Sequence, residues 1–166
     1  MARKNREDTY HVTSEINRRL MELQSPDIKT LFIQTIAETH QKYAFKLWNF
    51  CIMDNRIHFL ITPEKDLSLS LIMKWIKMVF AIRWNQLHGV KGHLWEDRFH
   101  VRVIERREDF LRVFQYINQN PVKAGLVTHA KEWIFGSLYH YLHNVVDILT
   151  TFSDLLAQIF TADFST

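Results

Sequence analysis

The chain has 166 residues, 47% of them apolar and 13% aromatic, with only four glycines and three prolines, a composition that excludes a disordered chain and suits one compact domain. Twenty-one Lys and Arg stand against 18 Asp and Glu, a formal charge of +3, and the basic groups gather at Arg3 to Arg6, Arg18 to Arg19, Lys74 to Lys77, Arg98 to Arg107 and Lys123. Such clusters neutralise phosphates if folding brings them to one face, and otherwise they solvate a surface.

In chain order, Tyr10 to Ile16 reads as a strand, rich in β-branched and aromatic residues. Asn17, Arg18 and Arg19 break it. Ser25 and Pro26 open a helix that carries Ile28, Leu31, Phe32 and Ile36 on one stripe and ends near Lys42. Two apolar runs, Lys46 to Met53 and Arg56 to Thr62, flank Asp54 and Asn55, a turn-forming pair that predicts an antiparallel hairpin. Cys51 lies within the first run and reads as a core residue rather than a reactive thiol.

Leu69, Ile72, Met73, Ile76, Phe80, Trp84 and Leu87 mark the longest amphipathic helix, with Gly89 as its stop. From Phe99 the residues alternate. Phe99, Val101 and Val103 fall on one side, and Arg98, His100 and Arg102 on the other, so this strand has a basic face suited to a nucleic-acid backbone. Glu108 to Asn120 is then a helix with Phe110, Val113, Phe114 and Ile117 turned inward, bounded by Pro121 and Gly125, and the tail beyond is helical in part.

This order of strands and helices predicts an α+β fold: a ferredoxin-like antiparallel sheet with helices packed mainly on one face. No apolar run reaches the length of a membrane span, and the start MARKNRED is polar. A cytoplasmic protein with no membrane partner is therefore expected.

Two places carry residues suited to chemistry. In the strand after the turn, Arg56, His58 and Leu60 share one face, although a single strand histidine is ordinarily structural. On the last strong helix, Tyr116 and Asn120 stand four apart and share a face with Arg112.

Taken with their surroundings, these fragments resemble the REP-associated tyrosine transposases, a branch of the HUH single-strand transposases. Five segments carry the resemblance: Tyr10 to Ser14 through Asn17 to Arg19; Met53 to Ile61; Gly92-His93-Leu94-Trp95-Glu96-Asp97-Arg98-Phe99; Tyr116-Ile117-Asn118-Gln119-Asn120-Pro121-Val122-Lys123-Ala124-Gly125-Leu126-Val127; and Trp133 to Tyr141. They imply a single transposase-like domain over residues 1–166, with a family-like core at about 9–143 and a tail at 144–166. The resemblance also implies a homodimer that cleaves and rejoins single-stranded or hairpin DNA through a 5′-phosphotyrosine.

By the same resemblance Tyr116 is the nucleophile, and Mg²⁺ or Mn²⁺ is held by two strand histidines and a polar side chain one helical turn past the tyrosine. Here only His58 and Asn120 stand at those positions, because Arg56 replaces the first histidine. Guanidinium has no lone pair to give a metal and carries a charge that repels one. Three accounts of Arg56 follow: loss or severe weakening of catalysis with retained DNA binding, which we place first; rescue by another ligand such as His11; or an arginine that itself stabilises the phosphate charge. Arg98, His100, Arg102 and Lys123 are the expected DNA-binding residues, with Trp95 an option for stacking on bases or for a core role.

Overall fold

The computed structural model describes residues 7–145 and 147–160; the basic cluster Arg3 to Arg6 and the end of the tail lie outside them. Strand β1 (Thr9–Glu15) leads through a short 3-10 turn into helix α1 (Pro26–Lys42), followed by β2 (Phe45–Ile52), β3 (Arg56–Pro63), α2 (Leu69–His88), β4 (His100–Ile104) and α3 (Arg107–Lys123). Two shorter helices close the described chain, α4 (Ser137–Leu142) and α5 (Phe152–Phe160).

The four strands form one antiparallel sheet in the order β2-β3-β1-β4. Two β-α-β units interleave in this order, which is the ferredoxin-like arrangement expected from the sequence. The hairpin forms around Asp54 and Asn55, with the Met53 N–H donating to the Arg56 carbonyl at 2.8 Å. Gly89 ends α2 at φ +60°, a left-handed backbone that glycine adopts without steric cost.

Alternation along the strands gives the sheet two different faces. Val12, Phe59 and Ile61 point to the side covered by α1 and α2, where Phe32 stacks against Phe59 at 6.2 Å between ring centroids and meets Phe80 edge-on. Each such buried aromatic contributes roughly 2–3 kcal/mol of apolar transfer free energy. Cys51 belongs to the buried core as read from the sequence, and burial pushes its thiol up to about 12.

The one-face expectation describes α1 and α2, whereas α3 crosses the opposite side of the sheet, beneath β2 and β3. Asn49 fixes it there. The side-chain amide of this fully buried residue donates to the Phe114 carbonyl at 3.1 Å and to Asn118 Oδ1 at 3.0 Å. A β-bulge between Leu47 and Asn49 sets the pairing that aligns Asn49 with Leu60, on the α3 side. The outer edge of β2 is sealed by the C-terminal segment: the Ile52 N–H donates to Phe135 O and the Thr150 N–H to Leu47 O, both at 3.0 Å.

Three local readings change. Strand β4 begins at His100, so Arg98 lies in the preceding bend rather than on the strand face. Helix α3 runs through Pro121 to Lys123, because a proline in the last turn removes a single intrahelical donor, and Gly125 at φ +74° then turns the chain. Leu87, read as part of the stripe of α2, is exposed in the last turn of that helix.

Candidate functional site

The polar residues of the sheet gather on the α3 face. Register alone dictates this. Thr13 lies opposite His58 on one side and His100 on the other, while His11 lies opposite Leu60 and Arg102. Directly opposed residues of antiparallel strands project to the same side, so His11, Thr13, His58, His100 and Arg102 all face the side crossed by α3.

His58 is the centre of the cluster and is only 2% exposed. Its Nδ1 lies 3.2 Å from His11 Nε2 and 3.1 Å from Thr13 Oγ1, while its Nε2 is buried with no hydrogen-bond partner among the described residues. Desolvation pushes the His58 imidazole down to about 3, with the His11 and Arg56 charges adding to the effect. His11 is lowered as well, by burial and then by the Arg102 guanidinium. Both rings are therefore neutral at pH 7, and the site is a pair of uncharged imidazoles inside a ring of cations.

Tyr116 projects over this pair from α3. Its ring lies edge-on to His11 at 5.8 Å and to His58 at 5.9 Å, yet 43% of the residue is exposed, so the hydroxyl-bearing ring is open to a large ligand. Lys123 comes from the last turn of the same helix and sets its ammonium 5.0 Å above the Tyr116 ring. Asn120 is one turn on and 3% exposed, and its Nδ2 donates to the Tyr116 carbonyl at 2.8 Å. Arg112, which shares the helical spacing, does not join this group; it pairs with Asp109 and remains exposed.

Arg56 reaches the cluster from the start of β3. Its Nη2 donates to Asn120 Oδ1 and its Nη1 to Asn55 Oδ1, both at 3.3 Å. The structure therefore brings together Arg56, His58, Tyr116, Asn120 and Lys123, with Arg102 and His100 along the adjoining strand face. Arg98 stands apart from the tyrosine. With His100, Asn17, His93 and Asp97 it lines an open groove of about 560 Å³ at the end of that strand.

A divalent cation does not fit these donors. Asn120 Oδ1, the one helical ligand atom, already accepts from a guanidinium, and a cation bound there would sit against a fixed positive charge. His11, the other candidate ligand, has its Nε2 turned to His58 Nδ1 at 3.2 Å. Among the described residues no group of three or more His, Cys, Asp and Glu is arranged to hold a metal.

Trp95 takes the core role rather than the stacking one. It is buried between Phe32 and Phe80, and its Nε1 donates to the Lys77 carbonyl. The sequence reading missed Lys29, whose side chain is 2% exposed and whose ammonium donates to the carbonyls of Leu23 and Gln24 and to Asp54 Oδ1 at 2.6 Å. This ties α1 to the turn from which Arg56 projects. Asn49 was missed for the same reason, since a single polar residue inside a helix or an apolar strand gives no sign of the distant partner it will meet.

Comparison with known proteins places the chain. The family described as IS200-like transposases matches residues 6–120. A protein of Haemophilus influenzae named as a REP-associated tyrosine transposase is 26% identical over 118 residues, covering 65% of this chain and 67% of the relative. The REP-associated tyrosine transposase of Escherichia coli K12 is 25% identical over 132 residues, 79% of this chain and 76% of that one. Among solved structures, a REP-associated tyrosine transposase bound to a REP hairpin aligns with a TM-score of 0.71 at 21% identity over 87% of this chain and 86% of that one. A transposase structure from Deinococcus radiodurans aligns at 0.52 with 16% identity, over 72% and 95% of the two chains. Among the described residues no helix is long and apolar enough to cross a membrane.

Proposed function

Because the chain belongs to the IS200-like transposase family, we propose that it binds single-stranded or hairpin DNA across the α3 face, with Tyr116 as the residue that meets the scissile phosphate. The observation that carries this reading is the exposure of Tyr116 amid Lys123, Arg102 and Arg56, on the face where the sheet is polar. A DNA strand would run from the groove beside Arg98 and His100, past Arg102, to Tyr116 and Lys123. The fold shared with the hairpin-bound structure supports the choice of a REP-type hairpin as first substrate.

In the reaction proposed for it, the Tyr116 hydroxyl oxygen attacks phosphorus and the bond to the 3′ oxygen breaks. The 5′ phosphate stays on the tyrosine, and the proton lost by the phenol is balanced by the one gained at the 3′ hydroxyl. Attack by a 3′ hydroxyl in reverse releases Tyr116 and reseals the strand, so the covalent link conserves the bond energy. His11 would be the imidazole placed to receive the proton of the phenol, because His58, held down to about 3 by burial, refuses one. Without fitting donors for a metal, charge on the phosphate is met by arginine and lysine alone, and the rate of cleavage would be low.

A second reading, a DNA-binding or regulatory descendant that no longer cuts, is favoured by the Arg56 contact to Asn120. Homodimerisation is proposed through β4, an edge strand whose Val101 is 52% exposed; light scattering in solution tests it. The deciding experiment incubates labelled single-stranded hairpins with the protein and with its Tyr116→Phe and Arg56→His variants, with Mg²⁺ or Mn²⁺, and separates products on a denaturing gel. An adduct formed by the unmodified protein and lost in Tyr116→Phe establishes strand cleavage. An adduct appearing only after Arg56→His establishes the non-cutting reading.

A further inference from the structure

We propose that the corner formed by Arg56, Asn120 and Tyr116 is a metal-independent binding site for a phosphodiester of single-stranded DNA, in which the guanidinium occupies the role of the cation. The inference rests on the DNA-binding reading above and assigns that reading its central anchor.

Three observations converge on it. The first is the donor set. The atoms of the two expected ligands are engaged or shut away: His58 Nδ1 by His11 and Thr13, Asn120 Oδ1 by Arg56, and His58 Nε2 by burial with no partner among the described residues.

The second is the state of Arg56. Its two hydrogen-bond acceptors, on Asn55 and Asn120, are neutral amide oxygens, and no carboxylate pairs with it among the described residues. Two amides hold the planar fork in place without cancelling its charge. Remaining donors on a half-buried guanidinium are well suited to paired contacts with phosphate oxygens.

The third is the neighbourhood. Asn120 joins Arg56 directly to the Tyr116 backbone, Lys123 stands over the Tyr116 ring, and Arg102 continues the positive charge along the strand face. An anion at this corner would lie beside the helical turn that carries Tyr116. The extended basic face beside it favours a polymer of phosphates over a single free phosphate ion.

The test has two parts on the full chain. Titration of Mn²⁺ followed by electron paramagnetic resonance, without DNA, is expected to show no stoichiometric site in the unmodified protein and one new site in Arg56→His. Anisotropy of a labelled single-stranded oligonucleotide is expected to give affinities within about twofold in EDTA and in Mn²⁺, and a loss of roughly tenfold in EDTA for Arg56→Gln, the size of one charge-assisted contact. Arg56→Lys should recover part of that loss, and inorganic phosphate should compete poorly.

Stoichiometric Mn²⁺ binding by the unmodified protein, DNA binding abolished by EDTA, or an Arg56→Gln protein that binds as tightly as the parent would each overturn the inference while leaving the DNA-binding reading intact. Absence of binding to any single-stranded or hairpin DNA would instead bring down that reading and the inference with it.

Discussion

The two faces of strand β3 differ by a single residue step and have opposite tasks. Ile57, Phe59 and Ile61 are dry and packed under α1 and α2; Arg56 and His58, between and beside them, are polar and lie toward α3 and Tyr116. On the first face, free energy comes from removing apolar area from water. The second gives up some of that gain to hold neutral imidazoles, a guanidinium bonded to amides rather than a carboxylate among the described residues, and an open tyrosine, a pattern expected where function rather than packing sets residue choice. Substitutions on the first face should therefore act on stability, and those of the exposed cations and the tyrosine on the second should act on DNA.

The contrast is broken most severely by Phe59→Ala. Its ring is fully packed against Phe32, and its removal should cost about 3–5 kcal/mol in urea unfolding, the range for a large core aromatic. If the loss were below about 1 kcal/mol, the apolar face would not be the source of stability claimed here.

Acid provides the next test, this time on the polar face. The folded state holds His58 far below its ordinary value, so the unfolded chain binds a proton that the folded one refuses. Stability is then complete above about pH 6.5 and declines as the pH falls toward about 3, by about 1.4 kcal/mol per unit at most for one such group. His11 acts in the same direction. Urea midpoints measured across that window should flatten in a His58→Leu variant, and an unchanged slope would contradict the buried, neutral assignment.

Asn49→Leu is expected to cost about 1–3 kcal/mol, because it removes the buried amide contacts to Phe114 and Asn118 that hold α3 on the sheet. A readout at Tyr116, such as ring chemical shifts, should move with it. Smallest of all is Tyr116→Phe: an exposed hydroxyl contributes little to folding, and the unfolding midpoint should change by no more than about 0.5 kcal/mol.

Much of this division can be read from sequence patterns. Alternation in Arg56 to Thr62, the helical stripe from Ile72 to Trp84, the Asp54-Asn55 turn and the four-residue step from Tyr116 to Asn120 all depend on local periodicity, and the fold obeys them. Arg98 was placed on the strand face because alternation does not mark where hydrogen bonding begins; the ladder starts only where Thr13 pairs with His100. The grouping of His100 and Arg102 with His11 and Thr13 depends on register between distant strands, which no local pattern encodes. Lys29 and Asn49 likewise have partners 25 and 65 residues away in sequence, and Trp95 looked available for stacking until Phe32 and Phe80 closed around it.

The central claim, that the α3 face receives DNA, is tested most directly by the affinity of the protein for a labelled hairpin with a single-stranded flank, compared with plain duplex over a range of salt and repeated with Arg102→Ala and Lys123→Ala. A preference for the flanked hairpin is expected, with each substitution weakening binding and lowering the salt slope by about one while the unfolding midpoint stays in place. Equal affinity for duplex and hairpin, or variants that bind as the parent does, would contradict it.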